Sequence, residues 1–256
     1  MKKQLETQVL IVGAGSTGLA IARELSKYKV DITLAEKNVD VAFGEVKASL
    51  GLIFSSHGLA NANSLILKSA MTPDIPPSEL FDRDSLKTRL TLEGFNAFPA
   101  VAEELDVEFK IYRDLIVGRD ESDFKALKLV EEICNSMGVE FERLDQEGIQ
   151  ALEPHISREI TRGLTYYGDR GQVYPWEYTM ALAENARDNG VRIRLLTEVR
   201  GITPLSGGFV VDTTSGTIKT RFIVNAAGGH ADKIAQMAGV RDFDLIFTGG
   251  QFPRAS

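Results

Sequence analysis

The sequence predicts an α/β chain in which buried parallel strands alternate with helices, interrupted by a region of different rhythm. Three observations predict it. First, the apolar run Gln8 to Val12 ends at a glycine, helical spacing follows from Ser16 to Tyr28, and a second apolar run spans Val30 to Ala35. Strand, glycine turn, helix and strand within about thirty residues make a βαβ unit. Second, the βα rhythm returns from Gly163 and closes with a buried strand at Phe222 to Asn225 and a helix from Ala231 to Ala238. Third, the stretch between them opens on a loop punctuated by Pro73, Pro76 and Pro77 and continues with long helical segments.

Each element has a local cause. In the first helix Leu19, Ala22 and Leu25 share one face. In the middle, Ser78 to Leu105 reads as helical and Phe109 to Val117 as a strand. Glu121 to Met137 carries Phe124, Leu127, Val130, Cys134 and Met137 on one stripe, which predicts an amphipathic helix with Cys134 in the core. Further on, Trp176 to Asn189 is helical and stops at Gly190. Val191 to Leu195 and Glu198 to Ile202 are short strands. Phe209 to Asp212 and Thr217 to Lys219 pair as a hairpin around Ser215-Gly216.

Composition narrows the function classes. A chain of 256 residues holds one large domain or two modest ones. With 43% hydrophobic and 25% charged residues it is globular rather than disordered or fibrous. Twenty-nine basic against 36 acidic residues give a net charge of −7, which argues against nucleic acid as a partner. Cys134 is the only cysteine, so an internal disulfide and a cysteine zinc cluster are excluded. His57, His155 and His230 lie far apart and predict no metal site. The expected setting is the reducing cytoplasm, with peripheral attachment at the inner face of the membrane left open. The uncharged stretch Ala48 to Leu67 has the length of a membrane span but carries too many polar groups for lipid.

The central motif is Gly13-Ala14-Gly15-Ser16-Thr17-Gly18, between a strand and a helix. Gly13 permits the tight turn, Gly15 lets a pyrophosphate approach the backbone, and Gly18 lets helix and strand pack closely. The helix N-terminus offers free N–H groups, and Ser16 and Thr17 offer hydroxyls. Glu36 follows Gly18 by 18 residues, at the end of the second strand, where a carboxylate accepts hydrogen bonds from ribose hydroxyls; Lys37 follows it. These residues fit FAD and NAD equally.

Other stretches distinguish the two. Thr220-Arg221-Phe222-Ile223-Val224-Asn225-Ala226-Ala227-Gly228 resembles the second flavin motif of FAD-dependent oxidoreductases. Leu152-Glu153-Pro154, Gly171-Gln172-Val173-Tyr174-Pro175 and Thr197-Glu198-Val199-Arg200-Gly201-Ile202 match further elements in the same order. The chain resembles the D-amino-acid-oxidase-like superfamily, nearest its glycerol-3-phosphate dehydrogenase and 2-hydroxyglutarate oxidase branches. Ser85-Leu86-Lys87-Thr88-Arg89-Leu90 and Glu93-Gly94 match the dehydrogenase branch in particular.

The resemblance implies a Rossmann-like FAD-binding domain of the glutathione-reductase type with an α+β portion of a substrate domain. The implied FAD domain is discontinuous, 1–75 and 160–242, with 76–159 and 243–256 as a partial substrate or cap domain. It places Glu36 on the AMP ribose and Val199 at the adenine. The segment from Gly44 to Gly51, with Lys47, Ala48 and Ser49 inside it, runs beside the pyrophosphate, ribityl chain and flavin ring. Ala226, Ala227 and Gly228 lie close to the FAD. The implied activity is hydride transfer to FAD from a CH–OH or CH–NH carbon of a small molecule. A small hydroxy acid or polyol phosphate such as glycerol 3-phosphate is the favoured substrate, and a quinone, a protein or oxygen the electron acceptor.

Three departures bear on this. Glu45-Val46 stands where relatives carry small hydroxyl residues, and Phe54 stands where they often carry histidine. The chain is also short, which suggests an N-terminal portion that needs a partner subunit for the C-terminal half, or a non-catalytic FAD-binding subunit. Among titratable groups near the presumed flavin, His57 is the candidate catalytic base, and Lys47 is a candidate to stabilise the reduced ring. His155 is read as a turn residue and His230 as a helix cap.

Overall fold

The computed structural model describes residues 4–55, 85–137 and 140–246. They divide into two compact units: Met1–Leu50 with Tyr174–Ser256, and Gly51–Val173. The division falls at other positions than the expected 75 and 160. Strands β3 (Leu52–Phe54) and β6 (Arg162–Val173) hydrogen-bond into one antiparallel sheet, which gathers both segments into the second unit.

The first unit is a six-stranded sheet. The strands are β1 (Gln4–Val12), β2 (Ile32–Ala35), β7 (Arg192–Arg194), β8 (Val199–Leu205), β9 (Gly208–Thr213) and β10 (Gly216–Asn225), and their spatial order is β7-β2-β1-β10-β9-β8. β2 and β10 flank β1 in parallel, and β7 extends β2 in parallel. β9 and β8 complete the sheet as antiparallel neighbours. Leu10, Val12, Ala35, Val199, Val211, Ile218 and Ile234 form one core cluster. β2 is an apolar run because both its faces are covered: all four of its residues are buried.

Two details differ from the sequence reading. β1 starts at Gln4, four residues early, because its first half alternates exposed and buried positions before the continuous apolar run begins. The two segments read as separate strands, 217–219 and 222–225, are one strand, β10, which stays in parallel register with β1 from Thr217 to Asn225.

Helix α1 (Ser16–Ser26) follows β1, and α5 (Pro175–Asp188) packs along α1. Arg23, almost fully buried in α1, reaches Glu24 at 2.6 Å. Burial raises the Tyr178 phenol of α5 above its ordinary pKa. Helix α6 (Ala231–Met237) follows β10.

In the second unit the long strand β6 is the spine. β3, β4 (Phe109–Gly118) and β5 (Phe141–Asp145) all pair with it antiparallel. Phe95 and Phe98 of helix α2 (Leu86–Glu104) set their rings on Phe109, with centroids 6.4 and 4.8 Å away. Leu127, Val130 and Cys134 are buried on α3 (Glu121–Met137), as its stripe predicts. Asp114 of β4 is buried and ion-paired with Arg170 of β6.

The short helix α4 (Gln146–Leu152) begins at Asp145, whose carboxylate accepts the Gly148 N–H at 2.9 Å. Asp145→Ala removes that acceptor and is expected to lower stability by about 1 kcal/mol. Chemical denaturation checks it, and an unchanged midpoint would show that the cap contributes nothing.

Among the described residues no helix is long and apolar enough to cross a membrane.

Candidate functional site

The site is assembled at the C-terminal ends of β1, β2 and β10, where loops of a parallel sheet gather ligand-binding groups. Gly13 N donates to Ala35 O at 2.9 Å, and Ala226 N donates to Val12 O at 2.9 Å. The glycine turn is thereby tied to both neighbouring strands. Beyond it α1 begins at Gly15 with no side-chain cap and no acidic residue in its first turn. That leaves the helix N-terminus with unsatisfied N–H groups and partial positive charge.

The glycines divide by what surrounds them. A Cβ on Gly13 would lie 2.3 Å from Ala226 O, and one on Gly18 2.0 Å from Gly13 O. Both positions are closed by backbone. Among the described residues, a Cβ on Gly15 would meet only Val46 Cγ2, at 3.8 Å. Gly15 therefore leaves its side of the turn open to a ligand.

Glu36 is buried at the end of β2. Its Oε2 accepts Ala14 N–H at 2.8 Å, and its Oε1 accepts both the backbone and side-chain N–H of Asn38 at 2.8 Å each. Its own backbone bonds to Arg194 O at 2.9 Å and from Thr197 N at 2.7 Å. Those last contacts bring the segment before β8, which opens with the buried Val199, to the same edge. Lys37 is exposed beside them.

A 3₁₀ turn, Glu45–Ala48, follows Gly44. Val46 lies over Gly15, and the Glu45 carboxylate lies over Gly228, whose added Cβ would be 2.9 Å from Oε2. Gly228 itself has φ +54. Ser49 N donates to Val46 O at 3.0 Å. Lys47 Nζ sits 5.2 Å above the Phe43 ring, and that ring tilts against Trp176 at 5.8 Å.

The structure thus brings together Gly13, Gly15, Ser16, Thr17, Gly18, Glu36, Gly44, Ala226, Ala227 and Gly228, with Val199 nearby. Lys47 turns its charge onto an aromatic ring. Gly51 lies in the other unit, next to β3, where Phe54 pairs with Arg170. His57 lies outside the described residues. His230 is the N-cap residue of α6, as expected, but caps by position alone: its side chain makes no capping bond, and its Nδ1 lies 3.2 Å from Gly229 O. Two contributors carry no spacing signal in the sequence: Asn38, which grips Glu36, and Glu45, placed on Gly228 by a long-range contact.

These features suit the AMP and pyrophosphate half of a dinucleotide. The turn has no room for a Cβ where backbones cross, is open at Gly15, faces an uncapped helix, and has a carboxylate at the end of the second strand.

Comparison with known proteins extends this. The pattern of the family described as FAD dependent oxidoreductase matches residues 8–251. A glycerol 3-phosphate dehydrogenase from Caloramator mitchellensis is 35% identical over 95% of this chain and 46% of its own length. Subunit A1 of an anaerobic glycerol-3-phosphate dehydrogenase from Haloferax volcanii is 27% identical over 94% of this chain and 39% of its own. An L-alpha-glycerophosphate oxidase from Mycoplasma pneumoniae, solved dithionite-reduced with FAD bound, superposes with a TM-score of 0.76 at 27% identity. It covers 93% of this chain, which covers 58% of it. The chain spans about half the length of these relatives.

Proposed function

This chain belongs to the FAD dependent oxidoreductase family, and from that premise we propose that its glycine cradle seats FAD for oxidation of a small polyol phosphate or hydroxy acid, glycerol 3-phosphate first. FAD, when bound, supplies the hydride acceptor. The chain's own residues bind and orient it. The α1 N-terminus and the bare backbone at Gly13 and Gly15 take the pyrophosphate, Glu36 takes a ribose hydroxyl, and the β8 segment at Val199 lies along the adenine. Ser16 and Thr17 add hydroxyl donors. Ala226, Ala227 and Gly228 admit the dinucleotide close to the end of β10.

The observation that carries the reading is the open Gly15 face between an uncapped helix and the buried, hydrogen-bonded Glu36. The glycerol-phosphate preference rests on the relatives' names, and the substrate contacts and electron acceptor on the length those relatives have beyond this chain. The same difference in length favours a second reading, a FAD-binding subunit that depends on a partner for turnover.

The test is the visible spectrum of the purified chain after FAD loading and desalting, followed by anaerobic addition of sn-glycerol 3-phosphate. A retained flavin spectrum that bleaches with glycerol 3-phosphate and not with glycine is the expected result. Retained flavin without bleaching by any candidate would favour the partner-dependent subunit. Loss of all flavin on desalting would count against the cradle as a sufficient site.

A further inference from the structure

We infer that Glu45 sets the strength of FAD binding by holding a negative charge at the mouth of the phosphate cradle. The inference rests on the reading that FAD seats in this cradle. The cradle is otherwise arranged for an anion: α1 starts uncapped, and no acidic residue lies in its first turn. A nearby 3₁₀ turn undoes part of that arrangement. Glu45, its first residue, lays its carboxylate on Gly228, with Oε2 2.9 Å and Oε1 3.9 Å from where a Cβ would stand. The next residue, Val46, stays at ordinary contact distance from Gly15, 3.8 Å, and leaves its face open. One short turn thus sets a charge against Gly228 and leaves Gly15 clear.

The charge is not neutralised locally. Among the described residues Glu45 has no ion-pair partner, and the neighbouring cation, Lys47, lies over the Phe43 ring. A carboxylate is an anion at neutral pH, and a pyrophosphate brought to the α1 N-terminus adds further negative charge. Like charges repel, and salt screens that repulsion where they are exposed, as Glu45 is. Bulk contributes little to the conflict, because an exposed side chain on a short turn can swing aside. The repulsion survives that movement at low salt, where the Debye length exceeds the reach of the side chain.

The experiment uses the full chain, with FAD fluorescence quenching as the readout and ADP as a competitor that carries two phosphates but no flavin. Parent and Glu45→Gln are compared in about 10 mM salt, where the Debye length is about 30 Å, and in about 1 M salt, where it is about 3 Å. Glu45→Gln keeps the size and removes the charge. It is expected to bind FAD and ADP about tenfold more tightly than the parent at low salt, with the gain falling to about twofold or less at high salt. Equal or weaker binding by Glu45→Gln at low salt overturns the inference and leaves the cradle standing. A gain that persists unchanged at high salt also overturns it, since charge repulsion at an exposed site is screened there. If neither protein binds FAD or ADP while both melt cooperatively at the same temperature, the cradle reading falls and the inference falls with it.

Discussion

Replacing Gly13 with alanine is expected to abolish flavin retention and to lower the melting temperature. Gly13 has φ +108, a backbone state that a side chain rarely adopts. The new Cβ would lie 2.3 Å from Ala226 O, 2.9 Å from its carbonyl carbon and 3.2 Å from Ala227 Cα. All three are backbone atoms of the segment that ends β10, and Ala226 is tied to Val12, so none can turn away as a flexible side chain would. The backbone strain costs about 1–2 kcal/mol and the overlap about 1–3 kcal/mol more. In a chain of this size each kcal/mol moves Tm by about 2–4 °C, so a drop of about 10 °C is expected. Gly15→Ala is the control, because its Cβ meets one methyl group at ordinary contact distance. It should melt like the parent and yet hold FAD less well, having filled the open face. Calorimetry with a desalting assay separates the two. A Gly13→Ala protein with parental Tm and parental flavin content would show that the turn is not closed as described.

That contrast also marks where the sequence was informative. Gly13, Gly15, Gly18 and Glu36 were legible because each is required by local geometry: a turn, a close approach, a helix packed on a strand, a strand end. Their spacing follows from the lengths of β1, α1 and β2. Ala226 to Gly228 were legible only through the resemblance of Thr220 to Gly228 to the second flavin motif of FAD-dependent oxidoreductases. The FAD-dependent class followed from the resemblance of these motifs, in their order, to a known superfamily. β6 was not legible as the spine of the second sheet. It contains Gly163, Gly168 and Gly171 and the charged Asp169 and Arg170, so it shows neither apolar alternation nor a continuous apolar run. β5 and α4 are short and half exposed, and their pattern is weak for that reason. The placement of Glu45 on Gly228 depends on a contact between distant parts of the chain, which no local pattern encodes. The unit boundaries belong to the same class, because they are set by which strands pair with β6.

Glu36→Ala is expected to weaken FAD binding by about ten- to a hundredfold, the loss of one charge-assisted hydrogen bond of about 1.5–3 kcal/mol. The estimate follows from counting acceptor sites. A carboxylate offers about four lone-pair sites, and Ala14 N, Asn38 N and Asn38 Nδ2 already occupy three in the structure. One remains for a ribose hydroxyl, fewer than the pair of hydroxyls that the motif suggests, unless Asn38 gives up one of its bonds. The same count makes glutamine a poor substitute. All three protein groups facing Glu36 are donors. If the amide oxygen of a glutamine took the two Asn38 donors, its NH₂ would face the Ala14 N–H. Ala14 is fully buried, and an orphaned buried N–H costs about 1–3 kcal/mol. Both Glu36→Ala and Glu36→Gln should therefore loosen the glycine turn, with Glu36→Gln recovering little of the lost affinity. FAD titration together with thermal melting tests this. Parental affinity in Glu36→Gln would mean that the three donors find other acceptors and that Glu36 does not order the turn. Parental affinity in Glu36→Ala would remove the ribose contact from the proposed site altogether.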